Sequence, residues 1–151
     1  MTNSEIQISQ QTLLELNNVK VYQQTEGGLL KAVDGVDFTV AKGRTLGLVG
    51  ESGCGKSMTG KAILNIQPKG FVCSGNILLH QKGEQPVDLV RLGRKSKELR
   101  SIRGGKIAMI FQEPMAAFSP LYTIGNQMIE MVRTHREKQR KAAESICVHM
   151  L

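Results

Sequence analysis

Eight consecutive residues, Gly50-Glu51-Ser52-Gly53-Cys54-Gly55-Lys56-Ser57, constrain the fold of this chain more than any other part of it. They match G-x-x-x-x-G-K-[ST] at every fixed position. Glycines let the backbone curl so that successive N–H groups converge on one point. A helix beginning at about Lys56 adds its positive end to that point, which suits a phosphate group. Lys56 is then placed to reach the β- and γ-phosphates of a nucleotide, and the Ser57 hydroxyl to ligate Mg²⁺. Such a loop requires a strand entering it and a helix leaving it. Thr45 to Val49 is short and apolar without alternation, as expected of a parallel strand covered on both faces. Lys56 to Ile66 reads as the helix, with Ala62, Ile63 and Ile66 as candidate core residues and Pro68 and Gly70 ending it.

The residues before the loop follow a different pattern. Thr12 to Tyr22 alternates, with Leu14, Leu16, Val19 and Val21 as inward positions around an Asn17-Asn18 irregularity. That spacing predicts a strand with a bulge. Gln23 to Gly28 reads as a polar connection, and Val36, Phe38 and Val40 mark a second strand ending at Lys42-Gly43. The two are expected to pair antiparallel. Beyond the loop helix, Ser74 to His80 reads as a strand, Lys82 to Pro86 as a turn, and Ile107 to Phe111 as another short apolar strand. Ser96 is a candidate N-cap for a basic helix ending near Gly104-Gly105. Further helices are expected over Gly125–Arg133 and over a stripe of Ala143, Ile146, Cys147, Met150 and Leu151. That stripe reaches the last residue, which predicts a chain cut short.

At 151 residues the chain has the length of one domain. No run approaches the roughly 18 apolar residues of a membrane-spanning helix. The polar stretch Met1 to Gln11 lacks the basic-then-apolar layout of a signal peptide and is expected to be flexible. Cys54, Cys73 and Cys147 are far apart and odd in number, which fits neither a disulfide framework nor a zinc pattern. The formal charge of +7 admits nucleic acid or an anionic membrane as partner. Much of it falls in Arg91–Arg103 and Arg133–Lys141, without interleaved aromatics, and the chain has no Trp, two Tyr and four Phe. Base-stacking platforms are poorly supplied, and solvated helix faces account for the charge.

Phosphate loops serve many enzymes, so a second cluster is needed to choose among them. Ile107-Ala108-Met109-Ile110-Phe111 leads into Gln112-Glu113-Pro114 and then Met115-Ala116-Ala117-Phe118-Ser119-Pro120-Leu121-Tyr122-Thr123-Ile124-Gly125. This resembles the Q-loop of ATP-binding cassette (ABC) ATPases, with Gln112 as its glutamine. Leu46 through Ser57 resembles the same family's phosphate loop, and Ala32 through Phe38 its preceding strand. Gly50-Glu51-Ser52-Gly53, with the stretch Phe111 to Met115, is most similar to the dipeptide/oligopeptide importer branch. The resemblance covers nearly all of residues 12–151.

The resemblance implies an α/β phosphate-loop NTPase of ABC type with an N-terminal antiparallel β subdomain. It also implies that residues 12–151 are the N-terminal part of one nucleotide-binding domain whose second half is missing. ATP and Mg²⁺ would be its cofactors. The phosphates would lie on Gly50, Ser52, Gly53, Cys54, Gly55, Lys56, Ser57 and Met58. Relatives often carry Thr where Met58 stands, so a hydroxyl contact is lost while the backbone N–H remains. Tyr22, at the place of the family's adenine-stacking aromatic, would stack on the base. Gln112 would sense the metal and the attacking water and link them to the membrane subunit, with Glu113–Tyr122 near the docking surface and Met115 and Phe118 as candidate contacts. Implied partners are transmembrane permease subunits and a second ATP-binding subunit, at the cytoplasmic face of the membrane, with no nucleic acid.

Parts of the family's apparatus have no counterpart in these residues. The apolar run Ile107–Phe111 ends in Gln112-Glu113 rather than Asp-Glu, and no Leu-Ser-Gly-Gly-Gln-like signature occurs. His80 lies upstream of Gln112, and His135 and His149 fall in expected helices, so none matches the switch histidine. The expectation is nucleotide binding without turnover by this chain alone. Two alternatives stand beside it: a short regulatory protein that binds nucleotide without hydrolysing it, and an ABC-type ATPase acting on nucleic acid.

Overall fold

The computed structural model describes residues 12–113, 115 and 118–150, so the expected flexible stretch 1–11, Pro114, Ala116, Ala117 and Leu151 lie outside the described residues. The chain divides into two compact units, one up to Leu99 and one from Arg100 onward.

The first unit is built on a four-stranded antiparallel sheet in the order β2-β1-β3-β4. Its strands are β1 (Thr12–Thr25), β2 (Gly28–Ala41), β3 (Phe71–Leu79) and β4 (Val87–Asp88). β1 lies inside the sheet, and its alternation gives it an apolar face from Leu14 to Val21. Leu16, Val19 and Val21 are fully buried there, joined by Val33 of β2 and Ile77 and Leu79 of β3. Burying each such side chain contributes about 1.5–3 kcal/mol relative to exposure. The strands run further than the alternation indicates, since Gln23 to Thr25 stay paired with β2 and only Glu26-Gly27 make the connection.

The expected bulge in β1 is present. Asn18 has φ 47°, and the register slips by one residue between Leu16 and Val19 against β2. Gly75 of β3 faces it with φ +87°, and a Cβ there would lie 2.3 Å from the Asn18 carbonyl oxygen. Two further slips fall in β2, the first passing over Gly35 between Val36 and Asp34. Val21 pairs with Val33 but Tyr22 pairs with Lys31, leaving Ala32 as an extra residue. The insertion puts Lys31 and Asp34 on the same face, which a regular strand would forbid at that spacing.

Helix α1 (Lys56–Ile63) touches β1 and β2. It is shorter than the expected Lys56–Ile66. Asn65, at φ 52°, leaves helical geometry, and Ala62 and Leu64 are buried where Ile63 and Ile66 are only half-buried. α2 (Lys97–Ile102) begins as expected, with the Leu99 N–H donating to Ser96 Oγ at 3.2 Å. The second unit holds α3 (Ile124–His135) and α4 (Arg140–Met150), which pack on each other, with Ala143 and Cys147 of α4 buried.

Two expectations are corrected. Thr45–Val49 is not a covered parallel strand: it has no regular structure, and Leu46, Leu48 and Val49 are 46%, 47% and 95% exposed. Ile107–Phe111 is likewise not a strand. Beyond an isolated bridge between Arg103 and Ile107 it is irregular, with Ile110 94% exposed. A parallel strand draws all its backbone hydrogen bonds from neighbours brought by crossover connections. Among the described residues neither segment has such a neighbour, since the antiparallel sheet uses only β1 to β4.

Candidate functional site

The glycine-rich loop is held against β2 by its own glycines. Gly55 has φ +94°, and a Cβ on it would lie 2.5 Å from the Ala32 carbonyl oxygen and 3.4 Å from Val33 Cγ2. Left-handed backbone and close approach both demand glycine there. The carbonyl it meets belongs to the extra residue of the β2 bulge, so the irregularity in the strand is what seats the loop. Gly53 is also left-handed, at φ +84°, but faces open space.

Helix α1 starts directly on Gly55. No side chain caps it, and no acidic residue lies in its first turn. The N–H groups of Lys56, Ser57 and Met58 therefore have no acceptor within the helix, and the helix dipole adds a positive potential at the same end. Thr59 is the first to donate backward, through N at 2.8 Å and Oγ1 at 3.0 Å to the Gly55 carbonyl. Ser52 and Ser57 are exposed, and Met58 is half-buried.

The Lys56 ammonium sits inside the loop. Its Nζ donates to the carbonyl oxygens of Gly50 at 2.7 Å and Glu51 at 2.6 Å, and to Cys54 Sγ at 3.2 Å. That hydrogen bond holds the exposed Cys54 thiol below its ordinary pKa. The loop thus converges orphan N–H groups and an ammonium on a short curl of backbone, a donor set that fits a multiply charged oxyanion. A metal would depend on that anion's own oxygens and on Ser57, because no group of three or more His, Cys, Asp or Glu among the described residues could hold one.

On the outer face of the sheet, beside Ala32, lies a second cluster. The Tyr22 hydroxyl donates to Asp34 Oδ1, and Lys31 Nζ donates to Asp34 Oδ2 at 3.1 Å. The Lys31 ammonium stands over the Tyr22 ring, 5.5 Å from its centroid. Asp34 is held below the usual carboxylate range, first by the Tyr22 hydroxyl and then by Lys31. The same bond raises the Tyr22 phenol, and the bond to Asp34 raises Lys31. Nothing in the sequence singled out Lys31 or Asp34. A slip in register leaves no mark in composition, and the one at Ala32 shows only in the pairing of Val21 with Val33 and Tyr22 with Lys31.

Gln112 belongs to the second unit, exposed on an irregular stretch. Met115 is 75% exposed, and Phe118 lines a groove of about 630 Å³ with Met128, Met131, Val132 and Met150. The turn before α3 is held by Gln127, which the sequence also left unmarked. Its Oε1 accepts from Ser119 N at 2.9 Å, and its Nε2 donates to the carbonyls of Ser119 at 3.0 Å and Tyr122 at 2.9 Å. Thr123 caps α3 by accepting from Asn126 N. Of the histidines, His80 pairs with Glu15 at 3.1 Å, and the His135 ring lies against Gly104, 2.8 Å from where its Cβ would be. No helix of the described residues is long and apolar enough to cross a membrane.

The ABC transporter family model matches residues 33–149. A dipeptide transport ATP-binding protein of Bacillus subtilis is 43% identical over 92% of the chain and 40% of its own length. An oligopeptide transport ATP-binding protein of the same organism is 40% identical over 93% of the chain and 41% of its own length. A glutathione import ATP-binding protein of Pectobacterium atrosepticum is 34% identical over 97% of the chain and 23% of its own length. The chain thus spans about two-fifths of the two Bacillus relatives.

Proposed function

The chain belongs to the ABC transporter family, and from that premise we propose that it is the nucleotide-binding portion of an importer ATPase subunit that energises uptake of peptides or similar solutes. The observation that carries this reading is the uncapped start of α1, seated on the β2 bulge by Gly55, with the Lys56 ammonium already inside the loop. ATP supplies the phosphates, and a bound Mg²⁺ would neutralise their charge. The backbone from Gly50 to Met58 and the Lys56 ammonium hold the phosphates, Ser57 offers its hydroxyl to the metal, and Tyr22 stacks on the base. Gln112 is the metal- and water-sensing residue of the second unit, and residues 12–151 together form one nucleotide-binding domain's first part.

The partners are permease subunits and a second ATP-binding subunit, at the cytoplasmic face of the membrane. Phe118, lining a groove with Met128, Met131 and Met150, and the exposed Met115 offer a permease loop an adaptable apolar surface. The chain itself binds nucleotide without turning it over. No acidic residue follows its apolar segment in the Asp-Glu arrangement that would hold the metal and activate water.

Titration of the chain with Mg-ATP by calorimetry tests this. Binding is expected for the native sequence and is expected to be lost in Lys56→Ala, with no phosphate release from either. Equal binding by both proteins would remove the loop as the site. Release of phosphate that Lys56→Ala abolishes would refute the claim of binding without turnover.

A further inference from the structure

We propose that Lys31 is an internal competitor for the nucleobase: its ammonium, anchored by Asp34, occupies the Tyr22 ring face on which a base would stack. This rests on the stacking role proposed for Tyr22. Three contacts define the arrangement. Tyr22 and Lys31 are cross-strand partners, which brings their side chains together on one sheet face. Lys31 Nζ stands 5.5 Å from the ring centroid, within the range where the negative face of an aromatic attracts a cation. Asp34 accepts from both the Tyr22 hydroxyl and Lys31 Nζ, so one carboxylate fixes the ring edge and the ammonium together.

The β2 bulge makes this possible. Without the extra residue at Ala32, Asp34 would point to the opposite face from Lys31 and could not hold it. The same residue's carbonyl meets Gly55, so the cluster and the glycine-rich loop are carried by one irregularity in one strand. A ring face cannot hold an ammonium and a base plane at once. Binding of a base on that face therefore requires Lys31 to leave, and the free energy of its cation–π contact is subtracted from the gain on stacking. The consequence is a site whose affinity comes mainly from the phosphates.

The test compares ATP with inorganic triphosphate, which carries similar charge and no base, by calorimetry on the full chain at one salt concentration. Removing the Lys31 charge weakens electrostatic attraction for both ligands, so that effect cancels in the ratio of the two affinities. Lys31→Met is expected to raise the ratio in favour of ATP by roughly two- to fivefold, the size of an exposed cation–π contact. Asp34→Asn, which keeps the lysine but loosens it, is expected to move the ratio the same way by less. A ratio unchanged or lowered in Lys31→Met overturns the inference. Tyr22→Ala separates the two readings. If it lowers the ratio while Lys31→Met does not raise it, stacking stands and only the competitor falls. If Tyr22→Ala leaves the ratio unaltered, the stacking reading falls and the competitor with it. Failure of both ligands to bind would sink the phosphate-site reading and this one together.

Discussion

Two sets of apolar residues, nearly identical in kind, meet opposite fates in this molecule. Leu16, Val19 and Val21 of β1 are essentially inaccessible, whereas Leu48, Val49 and Ile110 are half to almost fully exposed. Hydrophobicity does not separate them; hydrogen-bonding neighbours do. β1 finds β2 through a two-residue turn and β3 on its other edge, both antiparallel and both within its own unit. Thr45–Val49 and Ile107–Phe111 have the look of parallel strands, which need partners delivered by longer crossovers. An apolar run is a demand for neighbours, and among the described residues β1 has one on each edge while Thr45–Val49 and Ile107–Phe111 lie outside the sheet.

The sharpest way to break this contrast is to truncate a side chain in each region. Leu16→Ala is expected to cost about 2–5 kcal/mol, the range for a fully buried leucine. Val49→Ala is expected to stay within about 0.5 kcal/mol, as for an exposed site. Denaturant unfolding at low protein concentration reads both. Comparable losses would mean that Val49 is covered in solution and the two regions are alike. The contrast also predicts association: exposed apolar segments with unpaired backbone are templates for further pairing. Light scattering that rises with concentration, and falls in Val49→Lys, is the expected result.

What could be read from the sequence divides along the same line. Alternation marked the inward residues of β1 and the antiparallel pairing, because a half-buried sheet writes its two faces into the chain. The Asn17-Asn18 irregularity, the Ser96 cap and the glycine pattern of the loop were legible for a similar reason: each is a local backbone requirement met by a residue type. Thr45–Val49 reads as a covered strand and Ile107–Phe111 as a short apolar one, and neither forms, because strand pairing of an apolar run is a property of neighbours, which no local pattern encodes. The bulge at Ala32 was missed as well. It shifts register between strands without altering composition, and the Tyr22–Lys31–Asp34 cluster depends wholly on that shift.

A smaller effect is expected at the junction of the two regions, where the loop leaves the exposed segment and meets the sheet. Gly55→Ala places a methyl 2.5 Å from the Ala32 carbonyl in a left-handed backbone, whereas Gly53→Ala meets nothing within 4 Å. Both carry the cost of a left-handed residue, about 1–2 kcal/mol, and only Gly55→Ala adds a clash with backbone. Gly55→Ala is therefore expected to destabilise more than Gly53→Ala and to weaken nucleotide binding with it. Equal losses in the two variants would show that the loop is not seated on the β2 bulge.

The smallest effect is chemical and compares two cysteines, one from each environment. Cys54 is exposed in the loop, its thiol held below the ordinary value because Lys56 Nζ donates to Sγ at 3.2 Å. Cys73 lies in β3, where burial first and Asp88 second push its thiol up. Thiolate is the reactive form, so alkylation of Cys54 should begin at lower pH than that of Cys73. Removing the ammonium in Lys56→Ala should move the Cys54 profile to higher pH and leave Cys73 where it was. Mass spectrometry after timed alkylation across pH follows both sites at once. If the two cysteines titrate together, or if Lys56→Ala shifts neither, the ammonium is not inside the loop in solution. Slowing of Cys54 alkylation by excess Mg-ATP, with Cys73 unaffected, would instead localise the nucleotide to the loop. That outcome ties the loop that follows the exposed segment to function, since the ammonium that tunes Cys54 would also be the one that meets the phosphates.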